Sequence, residues 1–204
     1  RRTTHGVADS AGGDVMPLHE ILAACLSASA VWLTTRRSPW CYPVGLASIS
    51  VYIWVFIEAR LYSDVLLQCA YVAMLISGWV RWLRHLDSTG HVQVASLAPR
   101  LAGLHLLIGL FGGVALGYTM HTFTHASLPW LDAFLTAFSL VGQWWQNRRH
   151  IAAWWMWIAV DVVYIGMYLH KDLHVTAMLY TGFVVLALKG WRDWRHAGQA
   201  AAAA

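Results

Sequence analysis

Seven apolar stretches of about twenty residues run along this chain, near positions 18–35, 40–59, 62–83, 98–118, 128–146, 151–169 and 173–191. A helix needs about 20 apolar residues to cross a hydrocarbon core. Only helices and closed barrels satisfy every backbone polar group there. The breaks between the stretches are short and polar: Arg36–Arg37–Ser38–Pro39, Arg84–Gly90, His121–His125, Asn147–His150 and Lys171–Asp172. The pattern predicts an all-α polytopic membrane protein with seven transmembrane helices and no extramembrane domain. Of the 204 residues 58% are apolar and 12% charged, against about 25% charged in a soluble domain. That balance argues against a disordered chain, a surface-exposed α/β enzyme and a nucleic-acid binder, despite the net charge of +4.

The positive charge is distributed by side. The breaks after the first, third and fifth stretches, with the C-terminal end, hold ten Lys and Arg, and the opposite side holds four. The positive-inside rule then puts the C-terminus in the cytoplasm and the N-terminus outside. Residues 1–16 are polar and read as a tail, as do residues 197–204, and no cleavable signal peptide is recognisable. Cys25, Cys41 and Cys69 sit singly in apolar runs and are expected as small core residues.

An internal repeat follows from a shift of 112 positions, which lays residues 18–85 on 130–197 with 14 identities in 68 ungapped positions. Trp32 falls on Trp144, Arg36–Arg37 on Arg148–Arg149, Val51–Tyr52–Ile53 on Val163–Tyr164–Ile165, and Gly78-Trp79-x-x-Trp82 on Gly190-Trp191-x-x-Trp194. Each unit carries three stretches with the fourth between them, so the second unit re-enters in the same orientation. This predicts two three-helix bundles, residues 17–86 and 128–196, joined by a connector helix at 97–120. Parallel repeats of this kind place a substrate site at their interface near mid-membrane.

Polar residues then mark the faces that avoid lipid. Asp132, Thr136, Ser139 and Gln143 step by 4, 3 and 4 and share one helix face. So do Trp154, Trp157, Asp161, Tyr164 and Tyr168. Asp64, Gln68, Tyr71 and Gly78 form a third stripe, and Thr176, Tyr180 and Phe183 a fourth. Asp161 lies about two and a half turns inside its stretch, and an intramembrane carboxylate marks a functional site by default. Beside two indoles it suits an organic cation, through charge and cation–π attraction. The alternatives are a structural Asp bonded to a neighbouring helix and plainly packed tryptophans. Gln68 is as well suited to joining helices as to holding a ligand. Glu20 and Asp132, which correspond in the repeat, are expected in gating or structural roles rather than ligand contact.

His121/His125 and His170/His174 have the H-x-x-x-H spacing that can hold a metal on one helix face, but loop-edge polar residues explain them more simply. No metal site or cofactor is expected. Lys189, in the last stretch, sits where a retinal lysine would, yet snorkelling to the nearby polar end suffices. No phosphate-binding G-x-x-x-x-G-K loop occurs, so the chain does not drive transport with ATP, and no enzymatic activity is expected. The competing class is a metal-dependent integral membrane oxidoreductase. Of the thirteen Trp, Trp32, Trp79, Trp82, Trp144, Trp145, Trp191 and Trp194 are expected to anchor the membrane interface.

Three segments resemble the PnuC vitamin transporters: LYSDVLLQCAYVAMLISGWVRW (61–82), PWLDAFLTAFSLVGQWWQNRR (129–149) and WWMWIAVDVVYIGMYLHKDLHVTAMLY (154–180). The last is the most specific, with W-x-x-W followed four residues later by Asp. With the repeat, the resemblance spans about residues 18–196. It implies a SWEET-like 3+1+3 fold, homotrimers in the bilayer, and facilitated diffusion of a vitamin precursor, with trapping by a cytosolic kinase. Nicotinamide riboside is the foremost substrate, thiamin the alternative. It implies substrate contact by Trp154, Trp157, Asp161 and Gln68, and less directly Gln143; Tyr164 and Tyr180 join them from the stripes. There are departures: Ala152–Ala153 replaces a Glu-Asn pair, and Asp161 stands where some members have Asn. A negative Asp161 favours a cationic vitamin over uncharged riboflavin.

Overall fold

The computed structural model describes residues 18–58, 62–123, 128–170 and 172–203, with backbone alone at 18–20, 55, 56, 58, 62–67, 202 and 203. Seven helices form among them: α1 (Leu18–Thr35), α2 (Cys41–Glu58), α3 (Tyr62–Leu83), α4 (Pro99–Phe123), α5 (Pro129–Asn147), α6 (Ala153–His170) and α7 (His174–Ala203). Most boundaries fall within two residues of the apolar stretches. Two helices run further than the apolar pattern. α4 continues through Phe123, so His121 is helical, and α7 runs on through residues 197–203, which read as a tail. Residues of good helix propensity, many of them Ala, carry it on.

Among the described residues only α4 is both long and apolar enough, by hydropathy alone, to cross a membrane. The apolar runs of α1 and α2 are shorter, Ile21–Thr35 and Cys41–Trp54. The other helices carry the charged ends, the Trp and Tyr residues and the polar stripes that lower their average.

The packing sets α2 between α1 and α3, and α6 between α5 and α7. Between these groups α1 packs on α7 and α3 on α5. α4 lies outside, packed on α5, with Gly109, Gly113 and Gly117 directly against Phe138, Phe134 and Trp130. Small residues every fourth position let two helix backbones approach closely.

The arginine-bearing end is tightly built. α1 and α5 both end in a Schellman motif: Ser38 N–H bonds Leu33 O and Arg37 N–H bonds Thr34 O, while His150 N–H bonds Trp145 O and Arg149 N–H bonds Gln146 O. Arg37 and Arg149 take the left-handed conformation, φ 57° and 66°, where glycine is the usual residue. Their side chains explain the choice. Arg37 donates to the Val92 carbonyl at 3.2 Å and Arg149 to the Gln93 carbonyl at 3.1 Å. Val92 N–H returns a bond to Arg37 O and Ala95 N–H to Arg149 O. The loop between α3 and α4 is thus a strap across both helix ends. Its tip turns at Gly90, φ 77°. There the Asp87 carboxylate accepts from Thr89 N–H, Thr89 Oγ1 and His91 N–H. The Thr89 hydroxyl, those amides and Arg37 hold Asp87 down at about 2.

Candidate functional site

Above the strap, four aromatic side chains close the centre of the molecule. Tyr42 meets Trp82 edge-on, centroids 5.1 Å apart at 88°, and Trp154 meets Trp194 at 5.5 Å and 90°. Trp82 and Trp194 also touch, at 5.7 Å. Both are fully buried. Trp82 Nε1 donates to the Gln146 carbonyl and Trp194 Nε1 to the Thr34 carbonyl, each at 3.0 Å. Gly78 and Gly190 have no room for a Cβ, the first against Tyr42 and Asn147, the second against Trp154. Val92 of the strap packs beneath.

These contacts correct the expectation for Trp82 and Trp194, which are not interface anchors: their indoles close the protein interior. Trp145 is likewise buried, donating to His105 Nδ1 at 2.9 Å. Trp32 and Trp144 do lie exposed, with Arg36 and Arg148 stacked on them at 5.1 and 4.3 Å. The sequence shows which Trp recur but not whether a Trp near a helix end faces outward.

The plug is the floor of a cavity of about 410 Å³, within the range of small-molecule sites. Every helix except α4 lines it. All seven expected substrate contacts, Gln68, Gln143, Trp154, Trp157, Asp161, Tyr164 and Tyr180, stand on its wall. Periodicity put them on separate faces, and helix packing turns those faces toward one space. Among the described residues Asp161, 7% exposed, is the one acidic side chain lining it, and no Lys, Arg or His does. Neither ion pair among those residues involves Asp161. Trp157 is half-buried, and its Nε1 donates to Gln146 Oε1 at 2.8 Å, which fixes the indole plane. Trp154 differs from it. The residue is 2% exposed and its ring belongs mostly to the plug.

Asn147 was missed by sequence reading. Buried at the end of α5, its Oδ1 accepts from Tyr42 Oη at 3.2 Å and Gln143 Nε2 at 2.8 Å, and its Nδ2 donates to Met74 O at 2.8 Å. It joins α2, α3 and α5 and orients the Gln143 amide. The signal was available: an Asn at a helix end one turn after a polar stripe residue. On the wall, Tyr164 and Tyr180 cluster with Tyr168 behind them, centroids 5.0 to 5.7 Å apart.

Of the remaining expectations, Asp132, His170, His174 and Lys189 do not line the cavity. Asp132 is half-buried in the first turn of α5; the side chains of Glu20 and Asp64 lie outside the described residues. His125 does too. His170 ends α6 and His174 begins α7, so that spacing does not share a helix face, and no metal-holding group of His, Cys, Asp or Glu occurs among the described residues. Lys189 pairs with Asp193 one turn on. Cys41 is buried, but Cys25 and Cys69 are exposed rather than core residues.

An aromatic-walled chamber of this size enclosed by packed helices, with Asp161 as the one carboxylate on its wall among the described residues, has the form of a small-molecule site. Comparison with known proteins makes the class specific: the nicotinamide mononucleotide transporter family matches residues 17–196, and the chain belongs to it. The riboflavin/roseoflavin transporter RibM of Streptomyces davaonensis is 27% identical over 162 residues, covering 78% of this chain and 76% of RibM. The nicotinamide riboside transporter PnuC of Escherichia coli is 20% identical over 178 residues, covering 75% and 74%. The crystal structure of the vitamin B3 transporter PnuC superposes with a TM-score of 0.73 at 22% identity, over 89% of this chain and 82% of that one. It shares the fold.

Proposed function

We propose that this chain carries a flat-ringed vitamin precursor, nicotinamide riboside foremost, across the plasma membrane by facilitated diffusion. The observation that carries this reading is the charge of the cavity wall: one carboxylate, Asp161, among aromatic and amide groups, and no cation among the described residues. A pyridinium ring on Trp157 gains cation–π attraction and meets Asp161 as its counter-charge. Gln68 and Gln143 supply groups for ribose and amide. Phosphate recognition calls for Arg, Lys or clustered N–H donors, so the wall suits the riboside better than the mononucleotide. Thiamin, also a fixed cation, fits the same argument.

A second reading is favoured by the likeness to RibM. Asp161 weighs against riboflavin only through charge. A carboxylate also accepts hydrogen bonds from ring N–H and hydroxyl groups, so a flavin remains compatible with the site.

The rest of the mechanism belongs to the same proposal. The two helix groups, α1–α3 and α5–α7, act as parallel repeats of a SWEET-like 3+1+3 arrangement that rock about the cavity. In support, the helix-end motifs and aromatic pairs recur 112 residues apart, and exchanging the groups maps the α1–α7 contact onto α5–α3. The strap and plug face the cytoplasm, with the C-terminus inside and the N-terminus outside, seven helices span the bilayer, three copies assemble, and a kinase inside retains the product.

Uptake into vesicles tests this. Labelled nicotinamide riboside should equilibrate without a proton gradient and accumulate only with an enclosed kinase. Concentrative uptake that needs a gradient and no kinase would rule out facilitated diffusion.

A further inference from the structure

Glycine within a helix is less favourable than alanine, so each such glycine asks for a cause. Gly78, Gly109, Gly113, Gly117 and Gly190 have one, because a neighbouring side chain fills the place of a Cβ. Gly45, in the second turn of α2, has neither this cause nor a left-handed backbone; the same holds for Gly103, Gly112, Gly166 and Gly182, none of which lines the cavity. A Cβ on Gly45 would lie 3.6 Å from Leu75 Cδ1 and 3.9 Å from Ala30 Cβ, ordinary contacts, and Gly90 is the one glycine with positive φ among the described residues.

Gly45 does line the cavity, and the residue 112 positions on is Trp157, which lines it too. The packing supports treating the two as equivalent positions. Gly45 lies over Ala30 of α1, while Trp157 approaches the site of a Cβ on Gly142, Ala30's counterpart in α5, at 3.5 Å. The same exchange sets Ile49 against Asp161 and Val31 against Gln143, all four on the wall. At these three pairs of positions one half of the cavity therefore carries an indole, a carboxylate and an amide, and the other bare backbone and two aliphatic side chains.

We propose that Gly45 is a binding-site residue of the vitamin cavity, its bare backbone leaving open the space into which a ring stacked on Trp157 extends. This rests on the carrier reading above. An aromatic ring needs one face to stack on and clearance on the other. A second indole at position 45 would fill that clearance, while a methyl group would leave most of it.

The test uses the purified full chain with nicotinamide riboside, thiamin and riboflavin as separate probes of equilibrium binding, beside thermal unfolding. Gly45→Ala should bind within about threefold of wild type and melt no lower, since alanine favours the helix. Gly45→Phe should lose about tenfold or more in affinity for each vitamin that wild type binds, with its melting temperature within about 4 °C. Should Gly45→Phe not fold, Gly45→Cys is folded first and then alkylated with a bulky maleimide, with alkylated wild type as control for Cys25 and Cys69. It should react and then lose binding to the same degree. Binding by Gly45→Phe at the wild-type level, or an unreactive Gly45→Cys, overturns the assignment alone. So does a joint loss of stability and binding in Gly45→Ala, which would make the glycine a packing requirement. If wild type binds none of the three vitamins, the carrier reading fails and the Gly45 assignment with it.

Discussion

The plug end and the cavity, stacked along the same six helices, treat the two halves of the chain in opposite ways. At the plug end the halves match. Arg37 and Arg149 share a backbone conformation and a role, Tyr42–Trp82 repeats as Trp154–Trp194, and each buried Trp donates to a carbonyl of the other half. One and two turns higher they part, Trp157 standing where the first half has Gly45 and Asp161 where it has Ile49. Matching contacts suit a part that must hold both halves alike. Differing walls suit a part that must recognise one asymmetric molecule.

The largest effect should come from breaking the matched end. Trp82→Ala or Trp194→Ala removes a fully buried indole and its hydrogen bond, and each should cost about 4 kcal/mol, read by thermal or denaturant unfolding in detergent. Asn147→Ala comes next, at about 2 to 3 kcal/mol, because Tyr42 and Gln143 lose their shared acceptor. A loss confined to Trp82, with Trp194 tolerated, would break the equivalence of the two halves.

The cavity should respond in the other way, with activity changed and stability kept. Asp161→Asn should lower affinity for nicotinamide riboside and thiamin about tenfold to a hundredfold and change riboflavin binding far less. Equal losses for all three vitamins would mean that Asp161 acts through structure rather than charge.

The smallest effect is on the helix-end loops. Burial lowers the pKa of His150, so the unfolded chain takes up its proton first as pH falls. The contribution is present above the ordinary histidine value of about 6.5 and is lost as pH drops through and below it. His150→Gln should flatten a slight fall in melting temperature between pH 7.5 and 5.5, values chosen to bracket that titration.

Much of this was legible in the sequence because it is written in period and repetition. Helix positions followed from apolar length, and the stripe through Trp157, Asp161 and Tyr164 from spacing, since lipid forbids unpaired polar faces. What was not legible depended on how helices pack. Nothing local distinguishes Trp82, buried, from Trp144, exposed, when both stand near a helix end beside arginine. Arg37 and Arg149 read as membrane-side charge, while their strap contacts are set by a loop more than fifty residues away in sequence. Gly45 carries no side chain to read, and gains meaning only beside its counterpart Trp157, with which it lines the cavity.

The most direct test of the account is a structure of the chain with nicotinamide riboside bound. The pyridinium should lie on the Trp157 face, within about 6 Å of the ring centroid, with Asp161 as its counter-charge and its far edge over Gly45. A vitamin bound outside this chamber, or inside it with Trp157 and Asp161 untouched, would contradict the account.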